Sequence, residues 1–296
     1  MWRGARRSLS VIRWGFRSGP GFAVAFLAIL FAPVAGAGTI DLPQAIELYE
    51  SGAFEAAAKL AETGDSSESL TLAARSRLAY LSYVNRKAAS FAALEGCAAL
   101  AERAIAQDPR NVEAHLQYVV ALGFMGRVAG NIRAHLAGYA TDARTHLDTA
   151  LRLDPENGWA HGMLGAWHME IVRKGGAFLA GSIYGAKLDK GIALYQRALQ
   201  LDPDNPVLHY EFGLALTAQD MRRFGTQAET QLRQALALPA RNAFEQLAQQ
   251  RAQQLLIALA TRNRTIVTAA IRVQTEFPAG GDRADEGTRP PAYGLR

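Results

Sequence analysis

Three histidines occupy one recurring place in this chain. His115, His161 and His209 each close an eight-residue phrase that opens on Asp-Pro: DPRNVEAH from Asp108, DPENGWAH from Asp154 and DPDNPVLH from Asp202. Imidazoles in a repeated position could ligate a metal or move protons. Spacing argues against a shared metal. The phrases start 46 and 48 residues apart, so equivalent positions lie on stacked copies whose helix axes pack roughly 8–10 Å from one another. Zinc holds nitrogen ligands at about 2.0–2.1 Å. His161 and His168 share a helix face, but two ligands without a third do not make a site. The three histidines therefore read as polar groups that support the start of a helix.

Other reactive patterns are missing. The chain has no Gly-x-Ser-x-Gly phrase, no Walker-type glycine loop and no His-Glu-x-x-His. Gly175, Gly176, Gly181 and Gly185 follow no strand and precede no Lys-Ser/Thr pair. Glu68 and Glu245 read as acids on solvated helix faces. Cys97 is the one cysteine in 296 residues, so no intrachain disulfide forms. It lies in the Ala-rich run CAALAERAI, where a small packed thiol is wanted. No catalytic residue, metal or cofactor is expected. An enzyme would need polar residues converging inside the fold.

What positions the histidines is a joint between helices. Proline disfavours helical dihedrals in the residue before it, so each Asp-Pro ends a helix. Asn157 and Asn205 are N-caps for the next one, and Pro206 sits at a first helical position, where its missing N–H costs nothing. Apolar residues then recur at helical spacing, as in Met163, Leu164, Trp167 and Ile171. Joints near 108–115, 154–161 and 202–209 thus punctuate stacked copies of one unit. Gln44–Gly64, Ser67–Lys87 with Ala88–Gln107, Arg223–Leu238 with Ala243–Ala260, and a closing helix near Ile266–Thr275 extend the pattern on both sides. The fold class is all-α: an α-solenoid of stacked antiparallel helix pairs.

Small residues recur with the joints. Ala104, Ala150 and Ala198 each precede a joint proline by five residues, and Gly165 and Gly213 each follow one by ten. This pattern resembles the tetratricopeptide repeat, whose ordinary period is 34. The copies here are 12 to 14 residues longer, and the excess forms intra-repeat insertions at Gly126–Gly138 and Arg173–Lys187. With AERAIAQDPRNVEAH and HLDTALRLDPENGWAHGMLGAWH, the layout is similar to the regulator of microtubule dynamics family. The similarity runs from Ala89 to Ile257, and Gly165-Ala166-Trp167-His168 is its most specific piece. It implies an all-helical tetratricopeptide-like domain and, in that family, roles in microtubule association or organelle tethering.

The first 37 residues differ from the array. Arg3, Arg6, Arg7, Arg13 and Arg17 come without an acid, an apolar stretch runs from Phe22 to Val34, and Ala35-Gly36-Ala37 offers a cleavage site. That is a secretory signal by layout, with an uncleaved membrane anchor as the alternative. The expected location is periplasmic or secreted, where microtubules are out of reach. Five of the 32 Lys and Arg belong to this leader, which leaves 27 bases against 27 acids. The high pI is a property of the leader and gives no support for nucleic-acid binding. Residues 38–277 form the repeat domain, and 278–296, rich in Pro, Gly and charge, read as a disordered tail.

Function at this level is binding. In tetratricopeptide arrays the first helix of each pair lines the concave face. That face maps here to Leu116, Val120 and Phe124, then Gly162, Ala166 and Met169, then Tyr210, Leu214 and Thr217. The set is apolar and aromatic and lacks a Lys and Asn clamp for a peptide carboxylate. It suits an amphipathic helix of a partner protein, so the chain reads as an exported, non-enzymatic scaffold or adaptor. The alternative is a lipid or other hydrophobic ligand beside a membrane, with the glycine-rich insertions as a gate. A third possibility is that Phe178, Leu179, Ile183 and Tyr184 fold inward and fill the groove as core.

Overall fold

A computed structural model describes residues 41–278; the signal reading of 1–37 and the tail 279–296 fall outside the described residues. Twelve α-helices follow one another, with no strand among the described residues. They form six antiparallel pairs. The first is α1 (Leu42–Glu50) with α2 (Phe54–Ala61), and the second is α3 (Ser67–Ala79) with α4 (Phe91–Gln107). In the third, α5 (Val112–Ala129) pairs with α7 (Tyr139–Leu153), and α6 (Asn131–Leu136) lies between them. In the fourth, α8 (Gly158–Tyr184) pairs with α9 (Leu188–Leu201). The fifth is a single assignment, α10 (Pro206–Ala237), and the sixth joins α11 (Ala243–Ala260) to α12 (Arg264–Thr275).

Two of these helices are broken. Gly176 within α8 has φ 73°, which a side chain would oppose, so residues 177–184 leave the axis of the first part. Asp220 within α10 is extended, with φ −164° and ψ 103°. Its carboxylate accepts the N–H groups of Arg222 (2.9 Å) and Arg223 (3.3 Å) and so caps a new helix. The antiparallel pair expected after the third joint is therefore present, with the break standing in for a loop.

The joints close as their residue types dictate. Asn111, Asn157 and Asn205 accept the N–H groups of Ala114 (3.1 Å), Ala160 (2.9 Å) and Leu208 (3.2 Å). Such caps contribute about 1 kcal/mol each. Each recurring histidine places Nε2 at 3.0 Å from the carbonyl oxygen of its own joint proline: His115 to Pro109, His161 to Pro155, His209 to Pro203. The histidines are part of the turn. Among the described residues no group of three or more His, Cys, Asp or Glu stands where it could hold a metal ion.

Glycine sets how closely helices approach. A Cβ on Gly165 would stand 2.8 Å from the Gly191 carbonyl oxygen, and one on Gly213 would stand 2.7 Å from Leu232 Cγ. The phrase Gly165-Ala166-Trp167-His168 then divides its work. Gly165 meets α9, Trp167 Nε1–H donates to Ala140 O (2.8 Å), and His168 Nδ1 accepts the Lys187 N–H (3.2 Å). Ala166 faces inward. Buried alanines such as Ala45, Ala57, Ala73, Ala101, Ala150 and Ala198 let the pairs stack tightly, and tight stacking with a consistent rotation curves a solenoid strongly.

Candidate functional site

That curvature brings the two ends together. Tyr49 of α1 and Tyr83, which follows α3, pack on Phe244 of α11 at ring centroid distances of 6.3 and 5.1 Å. A Cβ at Gly52 would touch Ala243 at 2.9 Å. Arg251 of α11 donates to the Ser82 carbonyl and holds its guanidinium 3.6 Å from the Tyr83 ring. Arg86 donates to the Glu276 carbonyl, and Phe277 packs edge-on against Phe124 at 5.2 Å. The concave face expected as an open groove is bounded by the meeting of first and last pairs. It encloses a cavity of about 930 Å³, at the upper end of the range for small-molecule sites.

Seven of the nine residues assigned to this face line the cavity: Leu116, Val120 and Phe124 from α5, Gly162 and Ala166 from α8, Tyr210 and Leu214 from α10. Met169 and Thr217 do not. Met169 is buried with Tyr195 and Phe212 in the core between α8, α9 and α10, and Thr217 donates to the Gly213 carbonyl at 2.7 Å. At about 3.6 residues per turn, the face seen by the cavity on α8 centres between Trp159, Met163 and Glu170. The assigned stripe is rotated from that centre by about a quarter turn, which puts Gly162 at its edge and Met169 beyond it.

The lining carries more charge than an apolar stripe would. Glu170 lies among bases and bonds bidentately to Arg173 (2.7 and 2.8 Å). Burial alone would raise its carboxyl, but the Arg173 hydrogen bonds and the charges of Arg173, Arg127 and Lys174 hold it down to about 2. Deeper in the ring, Arg127 and Arg251 line the same wall as Glu211. Burial raises the Glu211 carboxyl, against the pull of those two guanidiniums. Arg86 stacks on Phe277 (5.6 Å) and Arg127 on Phe124 (5.3 Å), two rings that touch, so both cations approach one aromatic pair. Burial lowers the Arg86 pKa, and the nearby Arg251 and Arg127 charges lower it further. Arg86, Arg127 and Arg251 thus gather beside Glu211, with Arg127 also acting on Glu170, and their guanidiniums are groups that can meet an anion.

Beside Arg251 stand Tyr83 and Tyr210, whose hydroxyls burial pushes upward, Tyr210 well above the ordinary value. Both stay protonated and can donate. Tyr210 Oη donates to Gln274 Oε1 at 3.1 Å. The lining also carries apolar side chains, among them Val120, Met163, Leu214 and Leu179. Sequence reasoning missed the polar cluster because its members come from α5, the turn after α3, α10 and α11, far apart in the chain. Glu245, read as solvated, is also corrected: it is 6 % exposed and grips Arg241 at 2.8 Å beside the cavity. Glu68 is exposed as expected.

The insertions do not fill the ring. Phe178 is 82 % exposed, and Leu179 and Ile183 are more than half exposed, while Ala180 is buried and Tyr184 half-buried at the rim. Gly176 turns this segment outward before it could enter.

Residues 42–260 match the model of the family described as regulator of microtubule dynamics protein 1–3. Among curated relatives, regulator of microtubule dynamics protein 3 of Bos taurus is 29 % identical over 109 residues, covering 35 % of this chain and 23 % of the relative. The chain thus spans under a quarter of that protein's length. A thermophilic tetratricopeptide-repeat protein of Thermus thermophilus aligns over 78 % of this chain and 96 % of its own, with 19 % identity and a TM-score of 0.46.

Proposed function

Because the chain belongs to the regulator of microtubule dynamics protein 1–3 family, we propose that it is a non-enzymatic, tetratricopeptide-like scaffold that binds within its central cavity. We propose further that it is exported, and that its occupant has an apolar body, such as an acyl chain, and an anionic head. What carries the reading is ring closure. With the first and last pairs in contact, the concave face bounds a cavity of about 930 Å³ whose lining holds both cations and apolar side chains. Arg86, Arg127 and Arg251 would meet the head, and Val120, Met163 and Leu214 the body. Burying an acyl chain there contributes about 0.8 kcal/mol per CH₂.

A second reading keeps the same face and gives it a partner protein's amphipathic helix. One observation favours it: apolar residues continue across three successive first helices, from Val120 and Phe124 through Met163 to Leu214. That is the layout that i, i+3 and i+4 anchors of a helix require. The role in the bovine relative's name does not transfer to an exported chain, which meets no microtubules.

Native mass spectrometry of the chain purified without detergent tests both. A bound mass in the lipid range, absent from Gly123→Phe, supports the first reading. Gly123 lines the cavity and a Cβ there meets nothing within 4 Å, so the new ring projects into open space. A stoichiometric protein partner lost from the same variant supports the second. Bare wild-type and variant chains would remove the cavity as the site of function.

A further inference from the structure

The two insertions carry an unusual surface. Ile132 and Leu136 of α6 are 77 % and 79 % exposed, and Phe178, Leu179 and Ile183, beyond the break in α8, are 82 %, 52 % and 56 % exposed. Large apolar side chains this exposed are scattered singly on most proteins, and a contiguous group marks an interaction surface. The two segments that carry them meet. His135 of α6 hydrogen-bonds Tyr184 Oη, and the two rings sit edge-on at 5.9 Å. That contact ties the insertions of two successive repeats into one face.

The two insertions themselves are basic. Gly126–Gly138 and Arg173–Lys187 hold Arg127, Arg133, Arg173, Lys174 and Lys187, and not one acid. Glu170, just outside them, pairs with Arg173 and Lys174. Exposed aliphatic and aromatic side chains flanked by bases are what an interfacial helix presents to lipid headgroups. Its apolar residues sink into the headgroup boundary, and its cations meet the negative surface potential. A protein groove would be expected to find polar partners at the rim in both signs. The backbone break at Gly176, at φ 73°, redirects residues 177–184, so that Ala180 packs into the core while Phe178, Leu179 and Ile183 stay exposed.

We propose that the face formed by α6 and residues 177–184 docks the protein on the surface of an anionic lipid bilayer. The position fits. Leu179, Ile183, Tyr184 and His135 also line the rim of the cavity, so docking would set the cavity mouth against the membrane. The proposal stands whether the cavity takes an amphiphile or a partner's helix.

The test is flotation of the full chain with phosphatidylcholine vesicles and with mixed phosphatidylcholine–phosphatidylglycerol vesicles, wild type against two double variants. Reading the difference from wild type keeps any contribution of residues 1–37 common to all samples. Leu136→Ser/Phe178→Ser removes the two most exposed apolar groups without touching the core. Lys174→Gln/Lys187→Gln removes two of the bases that the insertions carry. Expected are binding to the mixed vesicles at least about tenfold stronger than to neutral ones, and a loss of about tenfold or more in either variant, as two such charges imply. Raised salt should weaken binding. Equal binding by wild type and both variants would overturn the proposal, as would no preference for phosphatidylglycerol. So would a protein partner that captures this face and leaves the vesicles unbound. Unchanged unfolding midpoints in the variants separate these outcomes from misfolding.

Discussion

His115 and His146 meet through their Nδ1 atoms at 2.8 Å, from α5 and α7 of the third pair. The Pro109 carbonyl can only accept, so Nε2 of His115 carries the proton toward it, and its Nδ1 accepts from His146. Burial, and then the neighbouring His115, push the His146 pKa down to about 4. His168 is fully buried and also lowered to about 4, by burial first and then by Lys190 and Arg144.

A pH dependence follows from the sign of these shifts. Between the ordinary histidine value near 6.5 and about 4, the unfolded chain binds more protons than the folded one. Stability therefore falls as pH drops through that window and is unaffected by these groups above it. Glu211, raised by burial, acts in the opposite direction, since the folded form takes up its proton earlier. Urea midpoints measured from pH 7.5 downward should decline below about pH 6.5, and His146→Gln should flatten the decline. A flat wild-type profile across the window would contradict the buried neutral pair.

The approach of α8 to α9 is tested at its closest point. Gly165→Ala puts a methyl 2.8 Å from the Gly191 carbonyl and 2.9 Å from Tyr195, neither of which can withdraw without moving a helix. A loss of about 1–3 kcal/mol is expected, the usual cost of overpacking. Gly225→Ala is the control. It meets nothing within 4 Å in a helix, so a gain of about 0.5–1 kcal/mol should appear. Equal effects at the two sites would mean that backbone entropy, not packing, governs both.

How far the chain could be read in advance depended on distance along it. Joints, caps and helix pairs come from interactions within a few residues, so Asn157, Asn205 and the Asp-Pro stops announce themselves, as does the close-packed Gly165. The inward stripe on α5 was also legible, because Leu116, Val120 and Phe124 keep i, i+4 spacing. Ring closure was not. It depends on the rotation from one pair to the next, which no local pattern encodes, and with it went the meeting of Arg86, Arg127, Glu211 and Arg251. Met169 and Thr217 failed for a smaller reason: hydropathy marks the buried side of a helix but does not separate the side facing a cavity from the side facing a neighbour.

The recurring histidines should differ in worth although their sequence contexts match. His209 donates Nε2–H to Pro203 O and sets Nδ1 2.8 Å from the Gln231 side-chain amide, whereas His161 bonds Pro155 O and leaves a buried Nδ1 without a partner. With about 0.5–1.5 kcal/mol per hydrogen bond, His209→Ala should destabilise more than His161→Ala. Thermal unfolding of the two variants checks the order. The reverse order would mean that the Gln231 contact adds nothing to what His209 supplies.

Cys97 should be silent until the fold opens. It is fully buried, its Sγ lies 3.3 Å from the Ala93 carbonyl, and burial raises its pKa to about 12. The thiolate is the reactive form, so a thiol reagent at neutral pH should label it only along the urea unfolding transition. Labelling in the absence of denaturant would show that α4 opens locally well before the rest.

Arg251 is where ring closure can be broken with one side chain. Its guanidinium bonds the Ser82 carbonyl and lies 3.6 Å over Tyr83, while its own carbonyl accepts from Gln274 Nε2 at 3.0 Å. The first two interactions depend on the charge and end with Arg251→Met; the third is backbone and survives. Methionine keeps much of the apolar stem, so packing of α11 on α10 should persist. Together a charged hydrogen bond and a cation–π contact are worth about 2–3 kcal/mol. Hydrogen exchange should therefore rise by an order of magnitude or more in residues 80–84 and little in α7–α9, since each pair in a solenoid feels only its neighbours. A ligand held by the closed ring should leave faster from the same variant. If exchange at 80–84 were unchanged, the contact of Tyr49 and Tyr83 with Phe244 would suffice to hold the ends together, and the cavity would owe its enclosure to aromatic packing.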